Sequence, residues 1–219
     1  EGRKGTGTKS IQGTTVYNGV DYSAVYNMDD YLNKNTDVKK AVGGDDLAAI
    51  AHFVNYGMKE GRQASSKFDV NSYRMRYKDL RSAFGNNLKA YYDHYRINGY
   101  AEGRVATGST ELQNPTTVYN GVDYKLVYDY NYYINKYPDI KAAFNGDENA
   151  TLRHFVECGM NEGRQGKASF NVAAYRANYA DLRSAFGRNL KAYYMHYIGS
   201  GYREGRKATG NGVLKNPVT

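Results

Sequence analysis

Every histidine of the 219-residue chain, His52, His94, His154 and His196, occupies one position of a pattern that is written four times. The pattern is Tyr-x5-Asp-x3-Ala-x10-His-x4-Gly-x2-Glu-Gly-Arg. It gives four sets of chemistry-bearing side chains: Asp37, His52, Glu60 and Arg62; Asp79, His94, Glu102 and Arg104; Asp139, His154, Glu162 and Arg164; and Asp181, His196, Glu204 and Arg206. Carboxylate, imidazole and guanidinium together suggest a metal centre or acid–base catalysis, but the spacing argues against both. Each His lies 15 residues after its Asp and eight before its Glu, with no second His or Cys in the same quarter to close a coordination shell. The single cysteine, Cys158, aligns with Tyr56 and stands outside the motif, which removes a thiol nucleophile. The expectation is a non-enzymatic chain with no catalytic, cofactor-binding or metal residues, in which Arg of each Gly-x2-Glu-Gly-Arg turn reaches back to the Asp of an earlier helix in bidentate fashion. His is expected to act as a partly buried hydrogen-bonding wedge beside Phe53, Tyr95, Phe155 or Tyr197.

These sets are positioned by a repeat within a repeat. A shift of 102 residues superposes Val16-Tyr17-Asn18-Gly19-Val20-Asp21-Tyr22 on Val118-Tyr119-Asn120-Gly121-Val122-Asp123-Tyr124, and a shift of 42 relates the halves of each module. The reading places the tail of a preceding repeat at 1–13 and a first module at 14–108, with halves 16–62 and 63–108. A linker follows at 109–115, then a second module at 116–210 with halves 118–164 and 165–210, and the start of a next repeat at 211–219. The chain therefore reads as a slice of a longer tandem protein. Within each module, Asn-Gly between Val-Tyr and Val-Asp predicts a β-hairpin. Tyr31 to Val42 predicts two short helical turns broken near Asn35-Thr36, with Tyr137-Pro138 marking the same break. Asp45 or Asp46 is expected to cap a helix with Leu47, Ile50 and Val54 on one stripe, ended by Gly57. In the second half Asn86 or Asn87 caps, Leu88, Tyr91, Tyr92 and Tyr95 form the stripe, and Gly99 stops it. The predicted fold is mainly α, as tandem modules, each a short β-hairpin plus two similar small helical units sharing a core, because a unit of about 40 residues alone buries too little apolar surface.

Composition narrows the function classes. No run approaches the roughly 18 apolar residues of a membrane span, one cysteine excludes a disulfide scaffold, and abundant aromatics exclude a wholly disordered chain. The 24 Tyr against seven Phe are expected to leave many rings half exposed. The net charge of +8 is confined to the second half of each module: 16–62 and 118–164 each carry −2, whereas 63–108 carries +4 and 165–210 carries +6. Either acidic first halves complement basic second halves in packing, or the basic halves meet an acidic partner. Candidate contacts are Tyr17, Tyr22, Tyr26, Tyr119, Tyr124, Tyr128, Tyr130 and Tyr132 near the hairpins, with Arg74, Arg76, Arg81, Arg176, Arg183 and Arg188, alongside Lys78, Lys89 and Lys191. No nucleic-acid fold or motif is present. The 105–117 stretch reads as flexible enough for modules to bind separately and gain avidity.

Val-Tyr-Asn-Gly-Val-Asp-Tyr, Tyr-Asp-Tyr-Asn-Tyr-Tyr-Ile at 128–134, Tyr-Pro-Asp-Ile-Lys at 137–141, His-Phe-Val-Glu-Cys-Gly-Met-Asn-Glu-Gly-Arg at 154–164 and Tyr-Ala-Asp-Leu-Arg at 179–183 resemble a tandem repeat of secreted and wall-attached proteins of gut Firmicutes. Met28 and Cys158 depart from it, standing where the sister copies have Tyr130 and Tyr56. Such repeats accompany cell-wall lysozymes and surface adhesins, and related surface proteins include immunoglobulin-binding, superantigen-like ones. The resemblance implies an extracellular, secreted or wall-attached binding module; the chain is expected to be monomeric and, through its tandem repeats, multivalent. The resemblance also implies a host extracellular protein such as immunoglobulin as partner, without membrane insertion. Bacterial cell-wall glycan or anionic polymer is the alternative partner, and a pure spacer the third reading.

Overall fold

In the computed structural model, residues 13–144 and 146–214 are described, so most of the expected 1–13 tail and the end of the 211–219 segment lie outside them. The chain divides into two compact units, Glu1–Gln113 and Asn114–Thr219. In the first, strands β1 (Val16–Tyr17) and β2 (Val20–Asp21) pair antiparallel, with Tyr17 opposite Val20. The link is a two-residue turn in which Asn18 and Gly19 both take positive φ, 50° and 76°, the geometry that matches strand twist. The second unit repeats it with β3 (Val118–Tyr119), β4 (Val122–Asp123) and the turn Asn120-Gly121.

The rest of each unit is helical. In the first, α1 (Met28–Lys34) and α2 (Thr36–Val42) meet at Asn35, whose amide donates to the Tyr31 carbonyl and so serves the end of α1. Helix α3 (Asp46–His52) is capped by Asp45, which accepts from the Ala48 N–H. The helix then does not stop at Gly57. It widens into a π turn over Phe53–Gly57, runs on as α4 (Met58–Glu60), and ends at Gly61, whose φ of 72° is the left-handed C-terminal conformation. The second half repeats the scheme with α5 (Val70–Arg76), α6 (Lys78–Phe84) and α7 (Leu88–His94, capped by Asn87), then a π turn over Tyr95–Gly99 and the positive-φ Gly103. Gly57 and Gly99 are therefore not the terminating glycines the spacing suggests. That role falls four residues later.

The second unit has α8 (Tyr130–Lys136), α9 (Pro138–Phe144), α10 (Glu148–His154), a π turn over Phe155–Gly159 and α11 (Met160–Glu162). Its second half has α12 (Val172–Asn178), α13 (Ala180–Phe186), α14 (Leu190–His196) and a π turn over Tyr197–Gly201. The π turn thus recurs at one motif position in all four copies.

The two halves of a unit share one core. In the first it runs from Tyr22 to Ala106 and includes Val25, Phe53, Phe68 and Tyr92. Tyr92 joins the halves: its ring lies 5.6 Å from Phe53 and 5.0 Å from Phe68, and its hydroxyl donates to the Arg62 carbonyl at 2.8 Å. Tyr194 does the same with Phe155, Phe170 and the Arg164 carbonyl. Burial of each such ring contributes about 1.5–3 kcal/mol, and the bonded hydroxyl removes the penalty of a dry polar tip. Tyr26, Tyr31, Tyr73, Tyr91, Tyr92 and their second-unit counterparts are fully buried; Tyr31, Tyr73, Tyr91 and Tyr95 read as core rings from the motif, whereas Tyr26 near the hairpin does not. Leu47, expected on the buried stripe, is exposed, while Ala49 and Ile50 face inward.

The expected 109–115 linker is tied down as well. Leu112 is buried, the Ser109 N–H donates to Ser72 Oγ, and the Gln113 N–H donates to the Met75 carbonyl. Backbone bonds of Ser109 and Gln113 and burial of the Leu112 side chain thus hold most of it against the first unit. Thr116 is held in the second unit, its N–H donating to Glu148.

Candidate binding surface

The fourfold motif forms two linked internal constructions. In the first, a buried tyrosine on the opening helix of each half hydrogen-bonds the histidine Nδ1 that precedes the π turn. The pairs are Tyr31 with His52 at 2.7 Å, Tyr73 with His94 at 2.9 Å, Tyr133 with His154 at 3.3 Å and Tyr175 with His196 at 2.9 Å. In the second, the guanidinium of the Glu-Gly-Arg turn is shared between two carboxylates. Arg62 holds Asp37 through both terminal nitrogens, at 2.9 and 2.8 Å, and Glu60 through Nε at 2.5 Å. Arg104 joins Asp79 and Glu102, Arg164 joins Asp139 and Glu162, and Arg206 joins Asp181 and Glu204. In those three copies Nη1 meets the Asp and Nε meets the Glu.

Electrostatics follow from this geometry. The Arg62 hydrogen bond holds Asp37 below the usual carboxylate range, and Arg164 does the same for Asp139. For Asp79 and Asp181 partial burial is the largest effect and pushes upward, but the hydrogen bond and charge of Arg104 or Arg206 together with backbone N–H bonds make the net shift down. Arg104, Arg164 and Arg206 also lie over the rings of Tyr77, Tyr137 and Tyr179, at 4.8, 5.0 and 4.8 Å. Those tyrosine hydroxyls in turn accept from the backbone N–H just after the arginine. Each set therefore closes on itself. Among the described residues, no group of three or more His, Cys, Asp or Glu side chains could hold a metal ion.

Five of the expected contact rings belong to the core. Tyr22, Tyr26, Tyr124, Tyr128 and Tyr130 are buried, Tyr26 and Tyr128 stacking 5.0 Å from Phe53 and Phe155. Tyr22, which follows β2, packs edge-on to Phe53 at 6.4 Å, so the ring after the hairpin turns inward onto the first half. Tyr17, Tyr119 and Tyr132 keep partial exposure. Their hydroxyls meet Asn55, Glu157 and Lys136, and the Glu157 carboxylate raises the Tyr119 hydroxyl pKa.

The basic candidates are mostly turned onto the protein's own backbone. Arg81 is buried and donates to the carbonyls of Arg74, Met75 and Gln113, the first two at the end of α5, where the Met75 carbonyl also accepts from the Gln113 N–H. Arg183 caps α12 likewise through Arg176 and Ala177. Arg76 donates to the Thr107 carbonyl, Arg74 to Asn86, Arg176 to the Gly187 carbonyl and Lys191 to the Val156 carbonyl. Lys89 pairs with Asp93, whereas Lys78 and Arg188 are exposed. Arg81 and Arg183 thus serve helix ends, work that Asn35 does in the first half of the first unit, and most of the other second-half arginines bond within the protein. Together they are not a contiguous basic face.

The exposed rings lie elsewhere. Tyr56, Tyr100 and Tyr202 are 60%, 64% and 56% exposed. Sequence reading did not single them out, although a signal existed. Tyr100 and Tyr202 stand where the first halves carry the buried Met58 and Met160, and Tyr56 stands where the second unit has the exposed Cys158. No helix among the described residues is long and apolar enough to cross a membrane. Comparison with protein-family models, with curated proteins and with solved structures returns no match to this chain.

Proposed function

We propose that the chain is a non-enzymatic, extracellular binding repeat of a bacterial surface protein whose partner is a host protein, immunoglobulin being the candidate. The observation that carries this reading is the division of the polar and aromatic residues into two populations. The side chains that recur in all four copies are spent on one another as Tyr–His pairs and Asp–Arg–Glu clusters. Aromatic rings that differ between copies, Tyr56, Tyr100 and Tyr202, stand in solvent. A rigid amphipathic ring supplies contact area at small entropic cost, which suits recognition of a protein surface. Repetition in two compact units adds avidity.

Targeting to an anionic wall polymer draws less support, since most candidate arginines already serve backbone carbonyls. The deciding experiment is retention of the chain by immobilised immunoglobulin and by purified cell walls across a salt series. Salt-tolerant capture of immunoglobulin, weakened by joint Tyr56→Ala, Tyr100→Ala and Tyr202→Ala, supports the proposal. Salt-sensitive retention by walls alone replaces it with wall targeting, and retention by neither leaves a spacer.

A further inference from the structure

The first unit contains an open groove of about 690 Å³ between the hairpin and the end of the second half. Its walls include Asp21 and Ser23 from the hairpin side, Lys67 from the connection between halves, and Arg96 and Tyr100 around the second π turn. The volume falls within the range of small-molecule sites. The groove does not depend on the immunoglobulin reading, and its ligand would be a second one.

Its two cations are poorly used by the protein. Among the described residues the Lys67 ammonium has no ion pair or hydrogen bond. Among the same residues Arg96 makes one ion-pair contact, to Asp93 at 3.9 Å, its charge is also felt by Asp21 across the groove, and its buried Nε has no hydrogen-bond partner. Asp93 itself is engaged more closely by Lys89, at 2.5 Å. The Arg96 guanidinium is nevertheless held in place, lying 5.3 Å over the Tyr22 ring. A positioned, underused guanidinium beside a free ammonium is suited to a carboxylate.

The opposite wall carries the contrary sign. Asp21 is exposed and accepts from the Ser23 N–H and hydroxyl, both at 2.9 Å, which keeps the carboxylate oriented at the groove's edge. A bare anion would be repelled by it. A ligand with a carboxylate at one end and hydroxyl donors at the other satisfies both walls. The exposed Tyr100 ring, set edge-on to Tyr95 at 6.1 Å, adds an apolar face against which a sugar ring can lie.

We infer that this groove is a binding site for a carboxylated sugar, with Arg96 and Lys67 pairing its carboxylate, Asp21 accepting from its hydroxyls, and Tyr100 covering one ring face. The second unit is a natural control. The shift of 102 keeps Asp123 and Tyr202 but places Ser169 at the Lys67 position, Ile198 at the Arg96 position and Lys125 at the Ser23 position. The site is therefore specific to the first unit.

Backbone amide shifts of the isotope-labelled full chain, titrated with D-glucuronate, test this. The expected result is saturable shifts at residues 19–24 with none at 121–126. Arg96→Ile and Lys67→Ser, which install residues the second unit carries in the same fold, are expected to weaken binding at least about tenfold, the loss of one charge-assisted hydrogen bond. Glucose, lacking the carboxylate, and acetate, lacking the hydroxyls, are expected to bind as weakly. Absence of shifts, equal shifts in both units, unchanged affinity in Arg96→Ile, or acetate or glycine binding as tightly as glucuronate would each overturn the assignment.

Discussion

The Tyr31 hydroxyl oxygen lies 2.6 Å from the point where a Cβ on Gly57 would stand, and 2.7 Å from His52 Nδ1. Gly57 has helical φ of −55°, so it is not there for backbone freedom. It is there because the tyrosine tip occupies the space of its side chain. Tyr133 and Gly159 repeat the relationship at 2.6 Å, and Tyr73 with Gly99 and Tyr175 with Gly201 are closer still. The motif's Tyr, His and Gly are thus three parts of one contact that holds the π turn against the first helix of its half.

Gly57→Ala is accordingly expected to destabilise the first unit by about 1–3 kcal/mol, the usual cost of overpacking. Part of that loss should return in the double variant with Tyr31→Phe, which removes the obstructing oxygen. Chemical denaturation of the two single variants and the double completes the cycle. Strict additivity would show that the clash is not with the hydroxyl.

Tyr26 and Tyr31 have rings 5.6 Å apart in the same core, yet their hydroxyls differ in circumstance. Tyr31 is bonded to His52, whereas the buried Tyr26 hydroxyl, like that of Tyr128, has no partner among the described residues. Tyr31→Phe is expected to cost about 0.5–1.5 kcal/mol, and Tyr26→Phe to be neutral or stabilising, since a dry unpaired hydroxyl is itself a penalty of about 1–3 kcal/mol. Melting temperatures of the two variants check the ordering.

The Asp–Arg–Glu clusters make stability depend on acid pH with a definite sign. Asp79 titrates lower in the folded chain than in the unfolded one, despite burial pushing upward, because Arg104 bonds its ionised form. Its stabilisation is therefore complete above the ordinary carboxylate pKa of about 3.9 and is lost as pH falls through the lowered folded value. Asp79→Asn should lower the melting temperature at about pH 7, and by progressively less as the pH falls through the lowered folded value and the native carboxylate also takes up its proton. The exposure of Asp79 makes the effect small, and high salt should shrink it further. Curves that stay parallel as the pH falls would contradict this account.

The parts of the fold legible in the sequence are those decided locally. Asn18-Gly19 dictates its turn because both residues tolerate positive φ, and Asp45 and Asn87 cap because a short side chain meets the first free amides. The Arg62 to Asp37 reach was legible from a fourfold spacing, 25 residues apart in every copy. What stayed hidden depends on packing. Gly57 and Gly61 both follow a helical stripe, and only the Tyr31 hydroxyl distinguishes the glycine that is overshadowed from the one that ends the helix. Tyr22 and Tyr26 near the hairpin look the same in sequence as Tyr17, and the fold alone decides which rings go inside. The second-half arginines were legible as charge, but their use as caps on α5 and α12 was not, because the carbonyls they serve carry no sequence signature.

Arg81 and Arg188 separate the structural from the interactive use of that charge. Arg81 is buried and donates to three backbone carbonyls, so Arg81→Ala removes three charge-assisted hydrogen bonds, although Met75 keeps the Gln113 N–H, and should cost about 2–3 kcal/mol. For a unit of about 100 residues that corresponds to roughly 10 °C in melting temperature. Arg188 is exposed, and Arg188→Ala should leave the melting temperature within about 2 °C, as surface substitutions away from special features generally do. Any effect of Arg188→Ala on partner capture then reports on the surface alone, whereas an effect of Arg81→Ala reports first on the end of α5. A thermally neutral Arg81→Ala would mean that water replaces its hydrogen bonds without loss, and the capping account of the basic second halves would fall with it.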